Sequence, residues 1–220
     1  MTARPVVLLT NAESLVVGFA MYAQSLILPQ LLQLPEATGF GLGQSMVAMG
    51  LWMLPGGLMM MLVSPVGAKI SAARTPKVTL ALGSAVVAVG YLLSVLLMGS
   101  TWGITVSVMV ISSGVGLAYG AMPALIMGSV PHSETGSANS FNTLMRSVGT
   151  SVAGAVVGVV LAQMTHEVGG ITMPSEKGFQ TGLLIGAGVA AVAALIACAI
   201  PGKASREAEE HIEHPELETA

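Results

Sequence analysis

Two charged side chains fall inside otherwise apolar stretches of this chain: Glu13 and Arg146. A carboxyl in hydrocarbon is a group that can take up and release a proton, and a guanidinium there needs a partner. Each is expected near one end of its stretch, on the same side of a membrane. The two are therefore expected to pair there, with Glu13 exchanging a proton. The plainer alternative is that both reach the headgroups and only anchor their helices. Tyr22, Gln24 and Gln30 in the first stretch and Tyr119 in the fourth are the groups suited to touch a substrate in a cavity. Their alternative use is hydrogen bonding between helices. His132, His166, His211 and His214 all lie outside the stretches, and no His/acid cluster has ligand spacing, so no metal site is expected. No pair of catalytic groups argues for an enzyme, and the single thiol, Cys198, excludes an internal disulfide.

These residues must be positioned by six spans: A (about Val6–Leu32), B (Leu42–Val66), C (Val78–Met98), D (Trp102–Met127), E (Thr143–Met164) and F (Gly178–Ile200). Each is close to the roughly 20 residues that a helix needs to cross hydrocarbon. Charged residues make up 9% of the chain and mean hydropathy is +0.80. A soluble domain carries about 25% charged residues. The chain is expected to be an all-α integral membrane protein with lipid as its surroundings and no nucleic-acid partner. Residues 1–5 form a short N-terminus, 6–200 the bundle, and 201–220 an acidic tail expected to be disordered. Span A is longer than the apolar core of a secretory signal and is expected to be retained.

Lys and Arg sort between the two sides. Arg4, Lys69, Arg74, Lys77, Arg146, Lys203 and Arg206 lie on one, and only Lys177 on the other. Seven against one places both termini in the cytoplasm of a multi-pass protein of the cell membrane. Trp102, Phe40 and Phe179 then fall near the outer interface, as a thin aromatic belt would.

Polar side chains concentrate in A, B, D and E, while C and F are almost purely aliphatic and glycine. The order polar, polar, apolar, repeated twice, predicts two three-helix repeats with C and F at the lipid-facing periphery. Gly116/Gly120, Gly154/Gly158 and Gly182/Gly186 have close-approach spacing. The run from Gly149 through Gly154 to Gly158 gives E a nearly smooth face for packing. Pro55-Gly56-Gly57 in B predicts a kink, either a hinge or static. Span B also holds six methionines, an adaptable wall for varied apolar ligands if it does not simply meet lipid.

Several strings resemble one family. "YAQSLILPQLLQ", "TGFGLGQSMVAMGLWMLPGGL" and "SPVGAKISAARTPK" are similar to the first helix pair and inner loop in the C-terminal half of a major facilitator superfamily transporter. "GVGLAYGAMPALIMGSVPHSETGSANSFNTLMRSVGTSVAGAVVG" resembles the fourth and fifth helices of that half. The nearest likeness is the bacterial drug:proton antiporter, or multidrug efflux, branch. The resemblance implies one six-helix half of that fold, with A and D lining a cavity, B and E facing a second six-helix half, and C and F facing lipid. It implies an inner basic loop, here Gly67, Lys69, Arg74 and Lys77, although Ser71 replaces the family's acidic residue. It further implies efflux of lipophilic small molecules, cationic ones included, driven by a proton gradient with no cofactor. The competing expectation is a non-transporting fragment or an assembly subunit of a membrane complex.

Overall fold

The computed structural model describes residues 5–200. The N-terminal residues before them and the tail at 201–220, with Arg4, Lys203 and Arg206, lie outside the described residues. Six long helices cover most of what is described: α1 (Pro5–Gln33), α2 (Met46–Ala73), α3 (Pro76–Leu97), α4 (Thr101–Met127), α5 (Thr135–Gln163) and α6 (Glu176–Ala199). All six are long and apolar enough to cross a membrane. The helix starts are written in the sequence. Ser45, Thr75, Ser100 and Ser175 each accept a hydrogen bond from the backbone N–H three residues on, which satisfies one of the free donors of the first turn. Pro76 takes the first helical position of α3, where its missing N–H costs nothing.

The helices reach beyond the apolar spans. α2 continues seven residues past Val66 to Ala73, so Lys69 sits on a helix and the turn to α3 is only Arg74 and Thr75. α5 begins at Thr135, eight residues before the expected Thr143. Its first two turns are rich in Ser and Asn, which an apolar count passes over. α2 also runs helical through Pro55-Gly56-Gly57. Gly56 there brings the backbone against Val108 of α4.

One element is not helical. β1 (Thr165–Val168) and β2 (Ile171–Pro174) form an antiparallel hairpin between α5 and α6. Its turn is Gly169-Gly170, with φ of 60° and 84°, the doubly left-handed pair that fits a two-residue hairpin loop. The two ends of the bundle are hereafter the hairpin end and the basic end, the latter carrying Lys69, Arg74 and Lys77.

The packing interlocks the two halves of the chain. α1 lies against α5 and α6, whereas α4 lies against α2 and α3. The first helix of each triplet thus packs on the last two helices of the other. α1 and α4 touch along the middle, and α3 packs along α6. At the α3–α4 crossing, Gly83 and Gly114 face each other so closely that a Cβ on either would lie within 2.7 Å of the other's carbonyl oxygen. Close approach of small residues is how helices gain van der Waals contact when lipid removes the hydrophobic drive.

The core corrects the expectation that C and F are purely lipid-facing. α3 buries Leu80, Val87 and Tyr91 together with Thr79, Ser84 and Ser94. The Tyr91 hydroxyl donates to the Ala20 carbonyl of α1, and its ring lies against Gly186 of α6. Only the outward sides of α3 and α6, such as Leu96 and Leu195, are left exposed. The least covered helix is α2, followed by α5. Phe179 also departs from the interface belt expected of it. It is fully buried, with Phe40 of the α1–α2 connection at 5.9 Å, and Phe40 in turn lies 5.8 Å from His166 of the hairpin. Trp102 does stay exposed, edge-on to Trp52 at 5.0 Å.

Candidate functional site

Glu13 is completely buried. Its Oε1 accepts a hydrogen bond from Ser84 Oγ of α3 at 2.5 Å, and its Oε2 has no partner. On the adjoining face of α1, a second polar group forms around Asn142 of α5. The Asn142 amide donates to Ser14 Oγ at 2.5 Å and to Asn11 Oδ1 at 3.1 Å, and Ser14 Oγ reaches Met122 Sδ of α4 at 3.1 Å. Within two turns, α1 is tied by polar contacts to α3, α4 and α5. Neither Ser84 nor Asn142 stood out in the sequence. Ser84 lies in a span that reads as aliphatic, and Asn142 lies before the expected start of its helix. Interhelical hydrogen bonds in bilayers are worth roughly 0.6–2 kcal/mol each. Asn142→Ala is accordingly expected to lower the stability of the detergent-solubilised bundle by about 1–2 kcal/mol. Unfolding in graded denaturing detergent measures this, and an unchanged midpoint would contradict the bridging role.

Glu13 and Arg146 do not pair, contrary to expectation. The physical cause is helix phase and depth. Gly18 of α1 packs directly on the Arg146 backbone, where a Cβ would come within 2.3 Å of its carbonyl oxygen. Gly18 is turned about 140° from Glu13 around the helix, so the acid and the cation sit on different faces of α1. Because α5 starts at Thr135, Arg146 is eleven residues into a 29-residue helix, rather than at its mouth. Its guanidinium lies over the Tyr119 ring, 4.7 Å from the centroid. It also donates to Thr143 Oγ1 of the same helix at 3.5 Å and interacts with the Tyr119 side chain.

The four residues expected to line a cavity separate in the same way. Tyr119 of α4 is half-buried and donates its hydroxyl to Met21 Sδ at 2.9 Å. Tyr22 is exposed beside α5, its ring 3.3 Å from where a Cβ on Gly154 would stand. Gln24 is turned about 200° from Tyr22. It is buried in the bundle with its Oε1 unpartnered, so it leaves the cavity set. Gln30 is exposed, two turns further toward the hairpin end. Next to Tyr119 an open groove of about 440 Å³ is bounded by Gly57, Met60, Met61, Ser64 and Pro65 of α2.

The packing glycines of α5 behave unequally. Gly149 is pressed on α1, and a Cβ there would fall 1.9 Å from the Leu15 carbonyl oxygen. Gly154 accommodates Tyr22. Gly158 meets nothing within 4 Å and is exposed, so it takes no part in packing. At the basic end, Gly67 lies against Leu117, and Lys69 and Arg74 are exposed. Lys77 donates to the Ile200 carbonyl at 2.5 Å, placing a cation at the C-terminal end of α6.

α5 carries the most polar exposed surface of any span. Ser140, Thr143, Ser147 and Ser151 follow one another at three- and four-residue intervals and are all exposed. Each hydroxyl donates to a carbonyl one turn back, at 2.9–3.1 Å. Thr143 Oγ1 also accepts from Arg146, and the oxygens of Ser140, Ser147 and Ser151 are open to water or a ligand.

A family model described as Major Facilitator Superfamily matches residues 2–154. A search of the curated proteins gives no match. The family match runs from the start of α1 well into α5, more than half of the chain, and it accords with six apolar helices and a polar face on a membrane-long helix. This multi-pass membrane protein belongs to the major facilitator superfamily of transporters.

Proposed function

We propose that the chain acts as the C-terminal six-helix half of a secondary transporter that exports lipophilic small molecules in exchange for protons. The observation that carries this is the exposed face made by α2 and α5. A hydroxyl stripe with an arginine at its centre does not belong against lipid tails, because intramembrane polar groups face a partner or water. A second six-helix bundle opposite this face would enclose the stripe, Tyr22, Tyr119 and the α2 groove in a cavity near the midplane, where transporters of this type bind substrate. The methionines Met60 and Met61 supply an adaptable wall for it. Glu13 is the acidic group available for proton exchange within the spans. The excess of Lys and Arg at the basic end favours a cytoplasmic location for it, in the cell membrane.

Inverted membrane vesicles from cells expressing the protein in its native assembly test the proposal. With an imposed proton gradient, lipophilic dyes of each charge type are offered in turn. At least one is expected to move faster than in control vesicles and to dissipate the gradient as it moves. If every dye behaves as in the controls, the efflux assignment fails.

A further inference from the structure

Arg146 is a cation inside a span with no carboxylate beside it. It lies midway along α5, with its backbone level with Gly18 near the middle of α1. A cation at such depth costs about 3 kcal/mol or more on insertion scales unless something neutralises it. Among the described residues no carboxylate does so: Glu13 lies more than a turn of α1 nearer the basic end and is sealed against Ser84 on another face. What Arg146 does have is Tyr119, whose ring centroid lies 4.7 Å from the guanidinium carbon. A cation–π contact of this kind holds a guanidinium beside the ring, and its five N–H donors exceed the contacts it makes here. Those donors meet Thr143 Oγ1 at 3.5 Å, a long and weak contact, and the Tyr119 side chain, and no carboxylate. The same Tyr119 ring borders the groove formed by Met60, Met61 and Ser64.

The geometry points to Arg146 and Tyr119 as a binding site for the anionic group of an aromatic or otherwise lipophilic substrate. The carboxylate or sulfonate accepts the fork of N–H donors from the guanidinium, bidentate where its two oxygens allow. The apolar body of the molecule lies in the methionine-lined groove beside Tyr119. Ser147, one residue along the stripe and exposed, offers a further hydroxyl. This narrows the cargo from lipophilic compounds in general to lipophilic anions, against the expectation that cations are included. Anionic lipid headgroups are the other source of such chemistry, but they sit at the bilayer surface and Arg146 does not.

As a statement about cargo, the inference rests on the transport assignment, yet its test does not require transport. The full chain in its native assembly is placed in nanodiscs of phosphatidylcholine, so that no anionic lipid competes. Three radiolabelled probes with one ring system are compared by equilibrium binding: 1-naphthoate, 1-naphthamide and 1-naphthylmethylammonium. Naphthoate is expected to bind at least about tenfold tighter than the amide, a difference of about 1.4 kcal/mol, and the ammonium weakest. Arg146→Gln is expected to bring naphthoate within about twofold of the amide, while Arg146→Lys keeps part of the preference because the charge remains. Thermal unfolding of both variants shows that the fold is intact. Should Arg146→Gln fail to fold, loss of part of the preference in the Lys variant and in Tyr119→Leu decides the question. Equal binding of the three probes, or a naphthoate preference that survives removal of Arg146, overturns the proposal. Failure of the vesicle assay alone leaves the binding result standing, which separates the two.

Discussion

Gly149→Ala is expected to destabilise the bundle more than any other single-methyl addition in α5. The added carbon would lie 1.9 Å from the Leu15 carbonyl oxygen, 2.8 Å from its carbon and 3.0 Å from the Phe19 nitrogen. All three atoms are backbone, so no side chain can rotate away. α1 and α5 would have to separate by about 1.5 Å to restore ordinary van der Waals distance. Overpacking of this kind costs about 1–3 kcal/mol and sometimes more, and here the cost is expected at or above the upper end. The unfolding temperature should drop by about 6–12 °C for a chain of this size. Gly158→Ala is the internal control. Nothing lies within 4 Å of its Cβ position, so the better helix propensity of alanine should leave stability unchanged or raise it by up to about 1 kcal/mol. Thermal unfolding in detergent, with size-exclusion profiles, compares the two directly. Equal responses would show that the α1–α5 contact is not as close as described.

The second large effect concerns Glu13. Glu13→Gln keeps an oxygen that can accept the Ser84 hydroxyl but cannot release a proton in the membrane. The variant is expected to fold with stability within about 1 kcal/mol of the native chain. Uphill export driven by the proton gradient should be lost, while downhill exchange of the same compound continues. Glu13→Ala differs in kind: it strands the buried Ser84 hydroxyl, at a cost of about 1–3 kcal/mol, so its loss of transport would not separate chemistry from folding. Proton uptake recorded alongside substrate movement in vesicles distinguishes the cases. Coupling that persists in the Gln variant would remove Glu13 as the proton carrier.

Much of the fold was legible because lipid imposes a simple constraint. A span must be long, apolar and helical, and the centres of α1, α3, α4 and α6 follow from that alone, whereas α2 runs on past its apolar span to Ala73. The fifth helix was misplaced at its start because Thr135–Asn142 is helical without being apolar. That error carried into chemistry, since it made Arg146 look superficial and paired with Glu13. The hairpin was legible in principle: Gly169-Gly170 between short β-compatible runs is a known turn signal. Ser84 was not, because one hydroxyl in an aliphatic helix announces nothing until a carboxyl is seen to lie 2.5 Å away. Gln24 and Tyr22 could have been separated from the outset, as two residues apart on a helix never share a face. The polarity of α5, by contrast, was visible as Ser147, Thr150 and Ser151, and it is what supports the functional assignment.

The interlocked packing has a consequence for how the chain is made. α1 finds its main neighbours in α5 and α6, the last of the six helices to be made. Synthesis at about 5–20 residues per second means that α1 is inserted on the order of ten seconds or more before α6 exists. During that interval its buried acid, Glu13, has Ser84 of α3 as an early companion, since α3 follows within the same triplet. Ser14 meets Met122 once α4 is made, whereas Asn11 waits for Asn142 on α5. The nascent chain therefore carries the Asn11 amide without its interhelical partner for most of its synthesis, and α1 completes its packing only when the second triplet closes around it.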